Sequence, residues 1–121
     1  MTKRRSPDEL LPLTPAMFEV LIALADGEKH GYAVLKEVAR RTDGRITLSP
    51  GTLYAIVRRF VADGVIAESD ERPDPALDDE RRRYYCLTDF GREVARAEAR
   101  RMETALGMAR AKSLIPRTRP A

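Results

Sequence analysis

Tryptophan is absent from these 121 residues, and cysteine and histidine occur once each. One thiol closes no internal disulfide, and one cysteine with one histidine falls short of a zinc site. No apolar run approaches the roughly 20 residues of a membrane span. The positive start at Lys3, Arg4 and Arg5 has no apolar stretch behind it, so it does not read as a signal peptide. No Gly-rich phosphate loop precedes a helix. Ser49 and Thr88 are explained as helix caps, and the acidic residues fall in runs that read as solvated. These absences leave catalysis without support and argue against a metal, a cofactor or a membrane partner. The chain reads as a soluble cytoplasmic protein.

What is present suits one domain. The chain is 43% hydrophobic, enough for one core although only 6% is aromatic, and 34% charged, which implies much solvated helix. The formal net charge of +3 is unevenly spread. Residues 1–14 and 15–64 each carry a net +1, residues 65–87 a net −3 and residues 88–121 a net +4. A basic balance fits a polyanionic partner, but many helical proteins share it.

Cap chemistry sets the order of elements. Thr14 is an N-cap with Pro15 at N1, where no N–H is needed; Phe18, Leu21, Ile22 and Leu24 follow at helical spacing until Asp26-Gly27. A second helix starts near His30-Gly31, runs through Tyr32, Val34, Leu35 and Val38, and ends at Asp43-Gly44. Its last turn carries Arg40 and Arg41, as the helix dipole favours. A short extended stretch, Arg45–Leu48, comes next. Ser49 then N-caps a third helix, with Pro50 at N1 and Gly64 as its stop. Beyond Gly64 the period becomes two: Val65–Glu68 and Arg83–Leu87 read as strands around an acidic loop containing Pro73 and Pro75. Thr88 opens a helix to about Lys112, roughly 35 Å long at 1.5 Å per residue.

Three short helices, a hairpin and a last helix predict a mainly α chain with a two-stranded β-wing, a winged helix-turn-helix plus a long C-terminal dimerisation helix. In that layout the third helix enters the major groove and the wing reaches neighbouring backbone. Winged helices also serve as protein-interaction modules, which is the alternative reading, so the third helix's outward face has to carry the argument. At 100° per residue, Leu53, Ile56, Val57, Phe60 and Val61 share one side. Gly51, Ala55, Arg58 and Ala62 face away, flanked by Thr52, Tyr54 and Arg59. Small residues permit close approach, the arginines suit phosphates or guanine edges, Thr52 and Tyr54 can donate to phosphate oxygens, and Ser49 at the helix start joins Gly51 in the expected DNA-contacting set. Arg81, Arg82 and Arg83, at the foot of the second wing strand, are further candidates. Plainer readings stand beside these. Arg59 can pair with Asp63, Tyr54 can pack at the core edge, and Arg81–Arg83 can neutralise Asp78, Asp79 and Glu80. Lys3, Arg4 and Arg5 are either a minor-groove arm or simply a basic start.

Leu13-Thr14-Pro15, His30-Gly31-Tyr32, Ser49-Pro50-Gly51-Thr52-Leu53-Tyr54 and Tyr84-Tyr85-Cys86-Leu87-Thr88 with Gly91 together resemble the PadR family of bacterial transcriptional regulators. The resemblance covers roughly residues 11–110, and the Ser49–Tyr54 run is its most specific part. It implies a homodimeric repressor on a palindromic operator, dimerised through the C-terminal helix, and the single long helix resembles the family's small subfamily. Four departures are visible. Ala55 stands where the family usually has proline, and Phe60-Val61 replaces leucine followed by glutamate; both leave the fold intact. The long acidic wing loop bears on the wing's role at DNA, and the missing tryptophan bears on any pocket for flat drugs.

In the last helix Ala95, Ala99, Met102, Leu106 and Ala109 form a stripe of small and adaptable side chains. Packing back onto its own domain is the plain explanation, but so long a helix overhangs the body, which assigns the stripe to homodimerisation. Leu10, Leu11 and Leu13 are candidates to cover part of that surface. His30 has no metal-binding or catalytic partner and reads as a helix-start residue. Cys86, opposite Tyr85 and Leu87 in strand alternation and near arginines that can lower a thiol's pKa, carries the minor alternative of a redox switch. The expected division is a basic arm or short helix over 1–12, the winged helix-turn-helix over 13–88, the dimerisation helix over 89–113 and a disordered basic tail over 114–121. The expected partners are double-stranded DNA, a second copy of the chain and a small-molecule effector, with the protein on the nucleoid when DNA-bound.

Overall fold

The computed structural model describes residues 5–69 and 83–116. The chain opens on a reciprocal cap. Ser6 accepts from the Asp8 N–H at 3.3 Å while Glu9 accepts from the Ser6 N–H at 3.2 Å, closing a single 3-10 turn, Pro7–Leu10. Helices α1 (Pro15–Leu24), α2 (Gly31–Arg41) and α3 (Pro50–Ala62) begin where the cap chemistry places them. Thr14 Oγ1, His30 Nδ1 and Ser49 Oγ each accept, at 3.1 Å, the N–H three residues on. His30 is thus a helix-start residue, as its isolation from other ligand types suggests. Helix α3 ends because Gly64 adopts φ 77°, which lets the Val65 N–H reach back to the Phe60 carbonyl at 2.8 Å.

Strands β2 (Ile66–Ser69) and β3 (Tyr84–Leu87) pair antiparallel, Ile66 opposite Leu87 and Ser69 opposite Tyr84. Val65, expected in the first strand, is buried just before it. Strands β2 and β3 are the expected wing, and a short strand not foreseen in the sequence extends it: β1 (Lys29–His30) pairs along the other edge of β3, which gives a sheet of three strands in the order β1-β3-β2. The open edge of β3 needs partners for its backbone groups, and two residues are too few to show an alternation in sequence.

The core lies where the helices meet this sheet. Leu21 and Leu24 of α1, Val34 and Val38 of α2, Leu53 and Phe60 of α3, Ile66 of β2 and Val94 of the last helix are all buried. That helix, α4 (Asp89–Ala111), starts under Thr88. The Thr88 hydroxyl accepts from the Gly91 N–H at 2.9 Å and donates to the Gly64 carbonyl at 2.5 Å, tying the end of α3 to the start of α4.

One acidic residue departs from the solvated runs in which it stands. Glu98 is 1% exposed; its Oε2 accepts the Leu13 N–H at 2.5 Å and its Oε1 pairs with Arg101 Nε. It shares the inward face of α4 with Gly91 and Val94. A helical wheel extended to this residue would have found it. Leu13 itself is buried, and Leu10 and Leu11 pack against the same core. Leu13 therefore belongs to the chain's own interior, Leu10 and Leu11 are half-buried at its edge, and Glu98 pins the segment that carries them. Glu98→Ala is expected to destabilise the fold by about 1–3 kcal/mol, because a buried N–H loses its acceptor. Glu98→Gln keeps an acceptor oxygen and should cost less. Equal urea midpoints for the two variants would show that the Leu13 bond does not set the loss.

No described helix is long and apolar enough to cross a membrane. Among the described residues no group of His, Cys, Asp and Glu side chains could hold a metal ion.

Candidate nucleic-acid interface

Helix α3 carries two unlike faces. Leu53, Val57 and Phe60 are buried, whereas Gly51, Thr52, Ala55, Arg58, Arg59 and Ala62 are exposed. Val61 departs from its expected place on the core side: it is 38% exposed and lines a cleft beside the wing. The Ser49 hydroxyl is used by the helix itself, since it accepts from the Thr52 N–H and lies 2.9 Å from Thr52 Oγ1. Ser49 therefore sets the start of α3. Tyr54 is half-buried, with its ring edge over the first residue of α2: a Cβ on Gly31 would sit 3.4 Å from the phenol oxygen and 3.6 Å from Cε1. A Cβ there would make only ordinary van der Waals contact, and the approach of Tyr54 to Gly31 joins two of the sequence motifs in one packing unit.

The charges sort differently from expectation. Asp63, the candidate partner of Arg59, pairs with Arg5 at 2.7 Å. Among the described residues neither Arg58 nor Arg59 has an ion-pair partner. Arg83 bonds Glu68 across the wing at 2.6 Å, so it would have to exchange a carboxylate for a phosphate. Arg81 and Arg82 lie outside the described residues, as do Lys3, Arg4 and the acidic loop. Sequence reasoning missed Tyr32, which it placed in the apolar run of α2 but which is 58% exposed, with Lys36 Nζ 4.7 Å from its ring centroid. His30 packs edge-on against Tyr84 at 5.6 Å, so the start of α2 and the wing are continuous. The His30-Gly31-Tyr32 run was the available signal.

On β3, burial pushes the Tyr85 phenol above its ordinary range, and the neighbouring Glu68 charge adds to the shift. A raised folded pKa means that the contribution to stability is intact below the ordinary phenol value of about 10 and is lost as pH rises through the folded value. A phenolate absorbance titration should show one late-ionising tyrosine that Tyr85→Phe removes. An unchanged late phase would assign it elsewhere. Cys86 is a free, half-buried thiol opposite Ala67.

Along α4 the stripe divides. Ala95 packs against the core of its own domain, which takes it out of the free surface. Ala99 is exposed, Met102 and Leu106 are 40% and 49% exposed, and Ala109 is half-buried near the helix end. The helix stops where Ser113 adopts φ 63° and the Leu114 N–H returns to the Ala109 carbonyl at 2.9 Å.

A three-helix core, a recognition-type helix with a bare basic face and a β-ribbon beside it define a winged helix-turn-helix. Its relatives narrow the class. The chain belongs to the Transcriptional regulator PadR-like family, whose profile matches residues 20–97. It is 34% identical to the transcriptional regulator Rv3488 of Mycobacterium tuberculosis over 69% of this chain and 72% of that protein. A 37% match to an uncharacterised transposon protein of Streptomyces fradiae covers 72% of this chain but 23% of that one. Among solved structures, a PadR family regulator from Clostridium difficile superposes with a TM-score of 0.61 at 20% identity, over 78% of this chain and 95% of that one. The Bordetella bronchiseptica regulator BpsR, solved to explain regulation of its DNA binding by 6-hydroxynicotinic acid, gives 0.61 at 28% identity, over 83% and 69%.

Proposed function

We propose that this transcriptional regulator is a homodimeric repressor that reads an inverted-repeat operator with paired α3 helices. The observation that carries this reading is the exposed face of α3, where Gly51, Ala55 and Ala62 leave room and Arg58 and Arg59 bring charge without an ion-pair partner among the described residues. Thr52 and Tyr54 supply further donors to phosphate oxygens, Ser49 fixes the helix start, and Arg81, Arg82 and Arg83 extend the contact from the wing. The free part of the α4 stripe, Ala99, Met102, Leu106 and Ala109, holds the second copy. A two-fold axis there places the two α3 helices in successive major grooves, about 34–36 Å apart. On this reading residues 1–12 are a basic arm or short helix, 13–88 the DNA-binding unit, 89–113 the dimerisation helix and 114–121 a basic tail, with the dimer on the nucleoid in the cytoplasm. Release by a small-molecule effector follows the Bordetella relative and needs an effector that prefers the DNA-free state.

Arg58→Ala tests the reading. The exposed side chain can be removed without touching the core, and operator binding should weaken by about 1–3 kcal/mol if it reads a base edge. Fluorescence anisotropy with labelled duplex measures it. An affinity equal to that of the unaltered chain would take Arg58 out of the interface and favour a protein-interaction module.

A further inference from the structure

Between α3 and the β2–β3 ribbon lies a cleft of about 670 Å³ whose lining includes Val57, Val61, Ala62 and Tyr85 together with Arg58 and Glu68. That volume falls in the roughly 300–1,000 Å³ range of small-ligand sites. Its apolar floor is unusual for this helix, which elsewhere turns glycine, alanine and arginine outward. Val61 is 38% exposed above the buried Val57 and Tyr85. A branched aliphatic side chain left open to water gains by being covered.

Charge selects the occupant. The Glu68 carboxylate in the lining is matched by Arg83 at 2.6 Å. Arg58, at the rim, has no ion-pair partner among the described residues. The cleft therefore favours an anion. A phosphodiester or inorganic phosphate would use Arg58 and leave Val57, Val61 and Ala62 idle. A molecule that uses both has a hydrocarbon body and one carboxylate.

We propose that the cleft between α3 and the wing binds a small apolar carboxylate, its hydrocarbon on Val57, Val61 and Tyr85 and its carboxylate on Arg58. Occupancy withdraws Arg58 from DNA directly, so release needs no change in the separation of the two heads. The site stands on the cleft alone; only the competition with DNA rests on the operator-binding reading.

The probe is 2-naphthoate, titrated into the isotope-labelled full chain and followed by amide chemical shifts. Saturable shifts centred on Val57, Val61, Glu68 and Tyr85 are expected. 2-Naphthamide, with the same shape but no charge, and inorganic phosphate, with charge but no hydrocarbon, should each bind at least tenfold more weakly. Arg58→Ala and Val61→Asp should each lose at least as much, with circular dichroism confirming that both are folded. Shifts centred on α4, equal binding of the amide, or no saturable shift would each overturn the site. In a second arm 2-naphthoate should displace operator from the unaltered chain. Simultaneous binding of DNA and naphthoate in the cleft would overturn the competition. A chain that binds no duplex would defeat the operator reading and leave the shift map to judge the cleft.

Discussion

Gly91→Ala is expected to destabilise the fold by about 2 kcal/mol or more. A Cβ at that position would lie 1.9 Å from the Val65 carbonyl oxygen and 2.9 Å from its carbon. The obstacle is backbone, so no rotamer relieves it. The carbonyl is also pinned, because it accepts the Thr88 N–H at 3.1 Å beside the bond from Thr88 to Gly64. Moving it would loosen the cap of α4 and the end of α3 together. Alanine gains about 1 kcal/mol of helix propensity over glycine, but an overlap that only a backbone shift can relieve costs about 3 kcal/mol or more. The overlap wins. The melting temperature should fall by roughly 10 °C or more for a domain of this size. A methyl added at Gly107 on the same helix would meet nothing within 4 Å, and Gly107→Ala should instead gain the propensity term. A Gly91→Ala protein that melts with the unaltered chain would mean that α4 does not approach Val65 this closely.

The second large effect is on assembly. Leu106 is 49% exposed and makes no part of the buried core, so Leu106→Glu should leave the monomer's melting intact. At a two-fold interface the substitution places two carboxylates in an apolar seam, where each loses hydration on association. Light scattering should then report a monomer at micromolar concentration. Operator affinity should fall by a factor of about 10²–10⁴, because the second α3 no longer binds as part of the same molecule. The head alone would retain weak binding to any duplex, since its phosphate contacts remain. A dimer that persists through this change would move the interface off the Ala99–Ala109 stripe.

How far a feature can be read from the sequence depends on the range of the interaction behind it. Ser49, Thr14 and Thr88 act on groups two or three residues away, so the helix starts follow from short-range chemistry. Gly64 is legible for the same reason. Glu98 is not, because its partner, Leu13, lies 85 positions away, and only the inward phase of α4 hints at it. Strand β1 is too short to show a period, and its pairing depends on β3 having an open edge. Tyr32 and Val61 fit an apolar periodicity, yet neither packs into the core. The pairing of Asp63 with Arg5 rather than Arg59 reflects where the 3-10 segment runs, which no local rule supplies. On the candidate interface, the outward phase of α3 is readable from its wheel. The engagement of Arg83 by Glu68 depends on strand register and is not.

The central claim is sequence-specific recognition by a dimer, and selection of bound duplexes from a random-sequence pool tests it most directly. An inverted repeat with half-site centres about 10–10.5 base pairs apart should be enriched. Affinity for it should fall steeply with salt, as several phosphate contacts require. Repeated selection that enriches no sequence over the starting pool would contradict the claim.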